Sequence, residues 1–314
     1  MHAELQARLG ARVKLDEPLA KHTTFRIGGP ADAFVEVENA DELRFVLDLA
    51  RRKDVKLHLI GGGSNLLVRD AGVRGIVVKL AGQFRDLSYV AHPHSGEDAS
   101  SCAQARAPMP HQLRAGAAVT MSALCSEAIR RGFNNFCWTA GIPGTLGGAI
   151  LGNAGAWAHD IGEFVENVTV MTRNGDEKVV TLTSEYRRTT LPEPGLILLS
   201  ARLRLAKIDA PVADAKLLCR DYVERKRRTQ PLEHPSAGSV FKNPAPDKPA
   251  GLLIDQAGCK GLRVEGACVS PKHANFIVND CHATATNVDQ LIKEVQARVK
   301  AHSGIDLELE IHVW

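Results

Sequence analysis

The sequence predicts an α+β fold built in two parts, on three observations. Short β-branched runs alternate with helical patterns over the first two thirds of the chain. A hairpin signal sits among them. A basic stretch ending in ERKRRTQP (224–231) then gives way to sequence of a different style.

AFVEVE (33–38), VKLHLI (55–60) and GIVVKL (75–80) read as strands, with a helical pattern over 40–52 between the first two. The polar, proline-bearing segment 94–110 reads as a mobile loop, and 120–131 as a helix. ENVTVMT (166–172) and KVVTLT (178–183) flank Asn174-Gly175, the dipeptide that most strongly signals a hairpin. A basic helix spans about 211–229, and its charge run alone describes a solvated helix end. Beyond it come a Pro/Gly-rich stretch (230–250), a short helix AGLLIDQAG, a strand NFIVN (275–279), a helix over 287–302 that stops at Gly304, and a closing strand.

The 314 residues are 44% hydrophobic and 24% charged, the make-up of an ordinary soluble globular protein. A net charge of +3 argues against a nucleic-acid or membrane-surface binder, yet accommodates one strongly anionic small ligand. MHAELQARLG has no apolar core of a secretory leader, and GLILLSARLRLA (195–206) is too short and charged to span a bilayer. Seven cysteines with no CxxC pair read as reduced thiols of a cytoplasmic protein, with no metal site.

Two glycine stretches carry the functional signal. In LIGGGSNLLVRD (59–70) a strand runs into three glycines, where backbone N–H groups can form an anion-binding concavity. It is neither a Rossmann nor a Walker motif, since no helix-opening G-x-G-x-x-G and no Gly-Lys-Ser/Thr is present. Alone, it also fits a tight hairpin. In GIPGTLGGAILGNAGAW (141–157) bare backbone recurs until Trp157 closes the stretch. Together they suggest opposite walls for a long ligand with phosphates and a flat ring.

TTFRIGGPADAFVEV, IGGGSNLLVRD, GIPGTLGGAILGNAGAW, YRRTTL, SAGSVFKNP, VSPKHANFIVN and LELEI occur in an order that resembles the UDP-N-acetylenolpyruvoylglucosamine reductases, from about residue 20 to the end. The resemblance implies a two-subdomain FAD-binding fold of the vanillyl-alcohol-oxidase (PCMH) type over 1–208, with subdomains about 1–81 and 82–208. A C-terminal α+β substrate domain follows over 209–314. It implies that FAD lies between Gly61, Gly62, Gly63, Ser64, Asn65 and Leu66 on one wall and the second stretch on the other. There Ile142, Pro143, Gly144, Thr145, Gly147 and Gly148 would line it first, then Asn153, Ala154, Gly155 and Ala156. Residues 61–70 contain no His or Cys for covalent attachment, so the FAD is expected to be non-covalent.

The implied reaction reduces the enolpyruvyl ether of UDP-N-acetylglucosamine to the lactyl ether of UDP-N-acetylmuramate, a step in peptidoglycan precursor synthesis, with NADPH reducing FAD first. Its chemistry needs a hydride at the outer alkene carbon, stabilisation of charge on the neighbouring carbon and its carboxylate, and a proton at that carbon. Arg187 is the candidate for the carboxylate, because a guanidinium fork matches two oxygens and stays charged. Arg188 competes by adjacency, and the resemblance favours Arg187 beside Tyr186.

Ser239, by itself an ordinary turn residue, becomes the proton donor through the resemblance, with Lys242 and Asn243 as substrate contacts. Period-two alternation puts Leu307, Leu309, Ile311 and Val313 on one face and Asp306, Glu308, Glu310 and His312 on the other. The family pattern selects Glu310 to assist protonation. His312 stands where that pattern has Arg or Lys, and the chain stops at Trp314, short of the customary glycine. His273 and Asn275 are expected to be structural or to line the substrate.

With three tyrosines and no long tyrosine-bearing insertion, the chain resembles the shorter branch of the family. A monomer that binds a UDP-sugar but no nucleic acid is the working expectation. An oxidase of the same fold acting on an alcohol or lactone, and a non-catalytic flavin module, are the alternatives.

Overall fold

A strand buried on both faces needs a nearly unbroken apolar run, and Val73–Leu80 supplies one. It lies inside a four-stranded sheet, between Pro30–Val37 and Leu57–Ile60, with Val13–Pro18 on the far edge of Pro30–Val37. Leu57–Ile60 runs parallel to it, and Val13–Pro18 pairs antiparallel with Pro30–Val37. The intervening helix, Ala40–Arg52, has the predicted span, with acidic residues in its first turn and basic ones in its last.

This computed structural model describes residues 1–90, 111–205 and 212–314; the segment 94–110, read from the sequence as a mobile loop, lies outside them. The chain forms two compact units, one of Met1–Glu36, Leu49–Lys79 and Glu224–Trp314, the other of Val37–Asp48 and Leu80–Val223.

In the first unit a second sheet orders its strands Ser236–Ser239, Phe276–Asn279, Ala267–Val269 and Arg263–Val264, all antiparallel. Helix Ala285–Ser303 contributes Val288, Leu291 and Val295 to a core shared with Phe241 and Ile277. Thr284 and Asn287 form a capping box at its start, and Gly304 ends it at φ 72°. Asp70 adds a second cap, accepting from Ala285 N at 2.8 Å and Thr286 N at 3.0 Å.

In the second unit a five-stranded sheet has the order Glu177–Val180, Val165–Met171, Ile197–Leu205, His111–Gly116, Leu87–Val90. Phe136, Trp138 and Phe164 pack edge and face beside it. The hairpin expected around Asn174-Gly175 is present, but its loop is longer than a two-residue turn. Gly175 N donates to Thr172 O at 3.0 Å and Thr172 N to Asp176 O at 2.8 Å. Gly175 therefore takes the left-handed closing position, φ 89°, of a type I turn with a bulge.

The stretch 141–157 is also less loop-like than its glycines suggest, because Thr145 caps a short helix, Leu146–Leu151. LLVRD keeps only two strand residues, Leu66–Leu67. Among the described residues no helix is long and apolar enough to cross a membrane, and no group of three His, Cys, Asp or Glu could hold a metal.

Candidate functional site

The first unit gathers one glycine stretch, Ser239 and Glu310. Gly63 has φ 62°, and a side chain there would meet the His22 carbonyl at 2.1 Å. Thr24 N donates to the Gly63 carbonyl at 3.1 Å, while Thr24 Oγ1 donates to Ser236 O at 2.7 Å. Thr24, from the TTFRIGGPADAFVEV run, thus ties the glycine loop to the strand ending at Ser239.

After Ser239 the chain runs antiparallel to the C-terminal tail, with Glu310 N donating to Val240 O at 2.8 Å and Lys242 N to Glu308 O at 2.9 Å. The other edge of the tail is held by the glycine loop. Asn65 Nδ2 donates to Glu310 O at 3.0 Å, His312 N to Asn65 O at 3.0 Å, and His312–Val313 runs parallel to Leu66–Leu67. Ser239 and Glu310, far apart in sequence, come to adjacent main-chain positions, both half-buried. The expected alternation holds: Leu307 and Ile311 are buried, and Glu308 and His312 exposed.

Three expected substrate contacts make structural hydrogen bonds. Asn275 is 5% exposed, and its side chain pairs with both main-chain groups of Phe241, accepting at 2.9 Å and donating at 2.8 Å. It therefore fixes the segment that carries Ser239. His273 accepts from Asn275 N through Nδ1 at 3.3 Å, and burial pushes its pKa down, keeping the ring neutral at pH 7. Asn243 Oδ1 accepts Ala250 N at 2.9 Å, capping the helix Ala250–Gln256. Lys242 stays partly exposed beside Glu308, Nζ to Oε2 3.4 Å.

The second unit carries the other glycine stretch and Arg187. Strands Thr183–Glu185 and Arg188–Thr190 pair with Glu185 opposite Arg188, so Tyr186 and Arg187 are the two-residue loop of a hairpin. Arg187 has φ 55°, a conformation that such turns normally give to Gly or Asn. Arg187 Nη1 donates to Gly155 O at 3.4 Å, and its Cζ lies 5.4 Å from the Tyr186 ring centroid. Arg188 is exposed on the strand, while Arg187 is half-buried.

Several backbone N–H groups of 141–157 are already in use. Ile142, Gly147, Asn153 and Ala154 donate to Thr139, Ala117, Ile150 and Ala149 carbonyls, and Gly148 N reaches Thr145 Oγ1 at 3.5 Å. These residues can line a ligand, but not with free amides. Asn153 is 3% exposed; its Oδ1 accepts Gly162 N at 3.0 Å and its Nδ2 donates to Glu185 O at 2.8 Å. Its side chain is therefore engaged at both ends within the protein.

Asn153, Trp157 and Ala158 all have positive φ, at 39°, 56° and 65°, a costly cluster for side-chain-bearing residues. Trp157 stacks on Tyr222 at 4.8 Å, and its indole N–H is buried without a hydrogen-bond partner among the described residues.

Whether a flat cofactor fits can be judged from glycines that the protein does not itself require. Gly148 is exposed, and among the described residues a side chain there would meet only Thr145 Oγ1, at 3.7 Å. Gly152 has φ −86°, open to any residue, and a Cβ would lie 3.5 Å from the nearest atom. Neither packing nor conformation demands glycine at these positions, whereas a ligand lying against bare backbone does.

Residues 230–314 match the family model for the UDP-N-acetylenolpyruvoylglucosamine reductase C-terminal domain, and 31–182 the model for a FAD binding domain. The UDP-N-acetylenolpyruvoylglucosamine reductase of Moorella thermoacetica is 40% identical, covering 99% of this chain and 96% of the relative. The UDP-N-acetylenolpyruvoylglucosamine reductase 2 of Symbiobacterium thermophilum is 39% identical, covering 96% and 92%. The crystal structure of the Thermus caldophilus enzyme superposes with a TM-score of 0.76 at 33% identity, covering 96% of this chain and 98% of that one.

Proposed function

Because the chain belongs to the UDP-N-acetylenolpyruvoylglucosamine reductase family, we propose that it reduces the enolpyruvyl group of UDP-N-acetylglucosamine-enolpyruvate to UDP-N-acetylmuramate, with NADPH as hydride donor. It is an oxidoreductase with a FAD-binding domain, in the family that serves peptidoglycan synthesis. Bound FAD, once reduced by NADPH, would supply the hydride for the outer alkene carbon. Gly148 and Gly152 would accept it against their open backbone, with Gly61, Gly62 and Ser64 on the other stretch.

Arg187 holds the enolpyruvyl carboxylate and the negative charge that develops on it as hydride arrives. A positive charge fixed in advance where negative charge grows stabilises the transition state more than any other device open to such a site. The Ser239 hydroxyl delivers the proton to the carbon bearing the carboxylate, and the Glu310 carboxylate assists that transfer. Tyr186, Lys242 and Asn243 Nδ2 contact the substrate. The same reading divides the chain into a cofactor-binding part, 1–208, and a substrate-binding part, 209–314, working as a cytoplasmic monomer.

The observation that carries this reading is the main-chain pairing of Glu310 with Val240 while Asn65 of the glycine loop holds the Glu310 carbonyl. That arrangement links a cofactor-type loop to both proton-handling candidates. The test is steady-state NADPH oxidation, expected to require the enolpyruvyl UDP-sugar. Flavin reduction by a sugar alcohol, and not by NADPH, contradicts the proposal.

A further inference from the structure

We propose that Asn153 is a positioning residue that sets the Arg187 guanidinium, a role resting on the part assigned to Arg187 above. Asn153 is buried at φ 39°, a conformation that asparagine tolerates better than most residues. Its amide reaches two separate segments, accepting from Gly162 N at 3.0 Å and donating to Glu185 O at 2.8 Å. Glu185 is the last strand residue before the Tyr186-Arg187 turn.

A second bond from the same hairpin, Thr189 Oγ1 to Ile150 O at 2.5 Å, lands three residues earlier in the glycine stretch. Gly162 lets the hairpin lie close, since a Cβ there would sit 2.6 Å from Ser184 Cβ. The hairpin therefore hangs from the glycine stretch at Ile150 and Asn153, and its arginine returns to that stretch at Gly155.

Three-residue strands do not hold a hairpin in place by themselves. Removing the Asn153 anchor frees the turn, and displacing a carboxylate clamp by about 1 Å costs about 100-fold in rate. The effect passes through Arg187 and leaves the flavin in place.

The test uses holoenzyme carrying Asn153→Asp, which keeps the acceptor for Gly162 N but turns the donor facing Glu185 O into an acceptor. Expected are a kcat lower by about 10- to 100-fold, wild-type flavin content and wild-type bleaching by NADPH. On an Arg187→Ala background the same change should cost less than about twofold more, because coupled residues are not additive. In the apo-protein, amide exchange at 183–190 should quicken.

Thr189→Val, which removes the neighbouring anchor without altering a buried amide, should show the same non-additivity and decides the matter if Asn153→Asp does not fold. An unchanged kcat, full additivity with Arg187→Ala, or flavin loss with unchanged kcat per bound flavin overturns the inference. A wild-type enzyme that ignores the enolpyruvyl UDP-sugar instead overturns the functional reading beneath it.

Discussion

At Gly63 the protein's own backbone demands glycine, with φ 62° and only 2.1 Å from a would-be Cβ to the His22 carbonyl; at Gly148 the nearest atom would be 3.7 Å away. The two glycine stretches thus share a composition and differ in cause. The first is folded around its glycine and anchored to a tail that follows far along the chain. The second keeps glycine at 148 and 152 where the protein leaves space, and is anchored to a hairpin close by in sequence. Gly63 is a condition of folding, as are Gly144 at φ 97° and Gly155, whose Cβ would lie 2.8 Å from the His159 carbonyl, whereas nothing in the described fold requires glycine at 148 and 152.

The comparison can be broken where each stretch meets its chemistry. Ser239→Ala and Glu310→Gln should lower kcat by about 10²–10⁴-fold in steady-state assays, with flavin content unchanged. Arg187→Gly should lose about 10²–10³-fold in kcat. In a thermal melt the same variant should be as stable as wild type or more so, by about 1 kcal/mol, since glycine relieves the left-handed turn residue. A destabilised Arg187→Gly would show that the guanidinium holds the hairpin instead of serving the reaction.

Smaller effects separate the glycines themselves. Gly63→Ala should cost about 3 kcal/mol in denaturant unfolding of the apo-protein, through backbone strain and a main-chain clash. Gly148→Ala should do the reverse in the apo-protein, adding about 0.5–1 kcal/mol as alanine replaces a helical glycine. It should still weaken FAD binding about tenfold in titrations followed by flavin fluorescence, through one methyl group at the contact. Tighter FAD binding by Gly148→Ala would place the cofactor elsewhere.

Local pattern makes much of this architecture readable. The 40–52 periodicity returns as Ala40–Arg52, and 287–302 lies within Ala285–Ser303. Amphipathic spacing and caps are written within one segment, so no distant information is needed. The hairpin around Gly175 is readable for the same reason, although its turn type is not.

Three asparagines show where local pattern stops. Asn65 meets Glu310 across 245 residues, Asn275 meets Phe241 across 34 and Asn153 meets Glu185 across 32. A side-chain amide that replaces a main-chain partner leaves no period in the sequence, so all three look like ligand contacts there. The hairpin at 183–190 is hidden because an arginine occupies its left-handed turn position, against ordinary turn chemistry. Such a conflict between local preference and fold is itself a marker of function.

The central claim is that the glycine stretches hold the flavin while Ser239 and Glu310, in the first unit, complete the reaction. Anaerobic stopped-flow spectroscopy of Ser239→Ala tests it most directly. NADPH should bleach the flavin at the wild-type rate, and added enolpyruvyl UDP-sugar should then reoxidise it orders of magnitude more slowly than in wild type, about 10²-fold or more. Reoxidation at the wild-type rate, or a flavin that NADPH no longer reduces, would contradict the account.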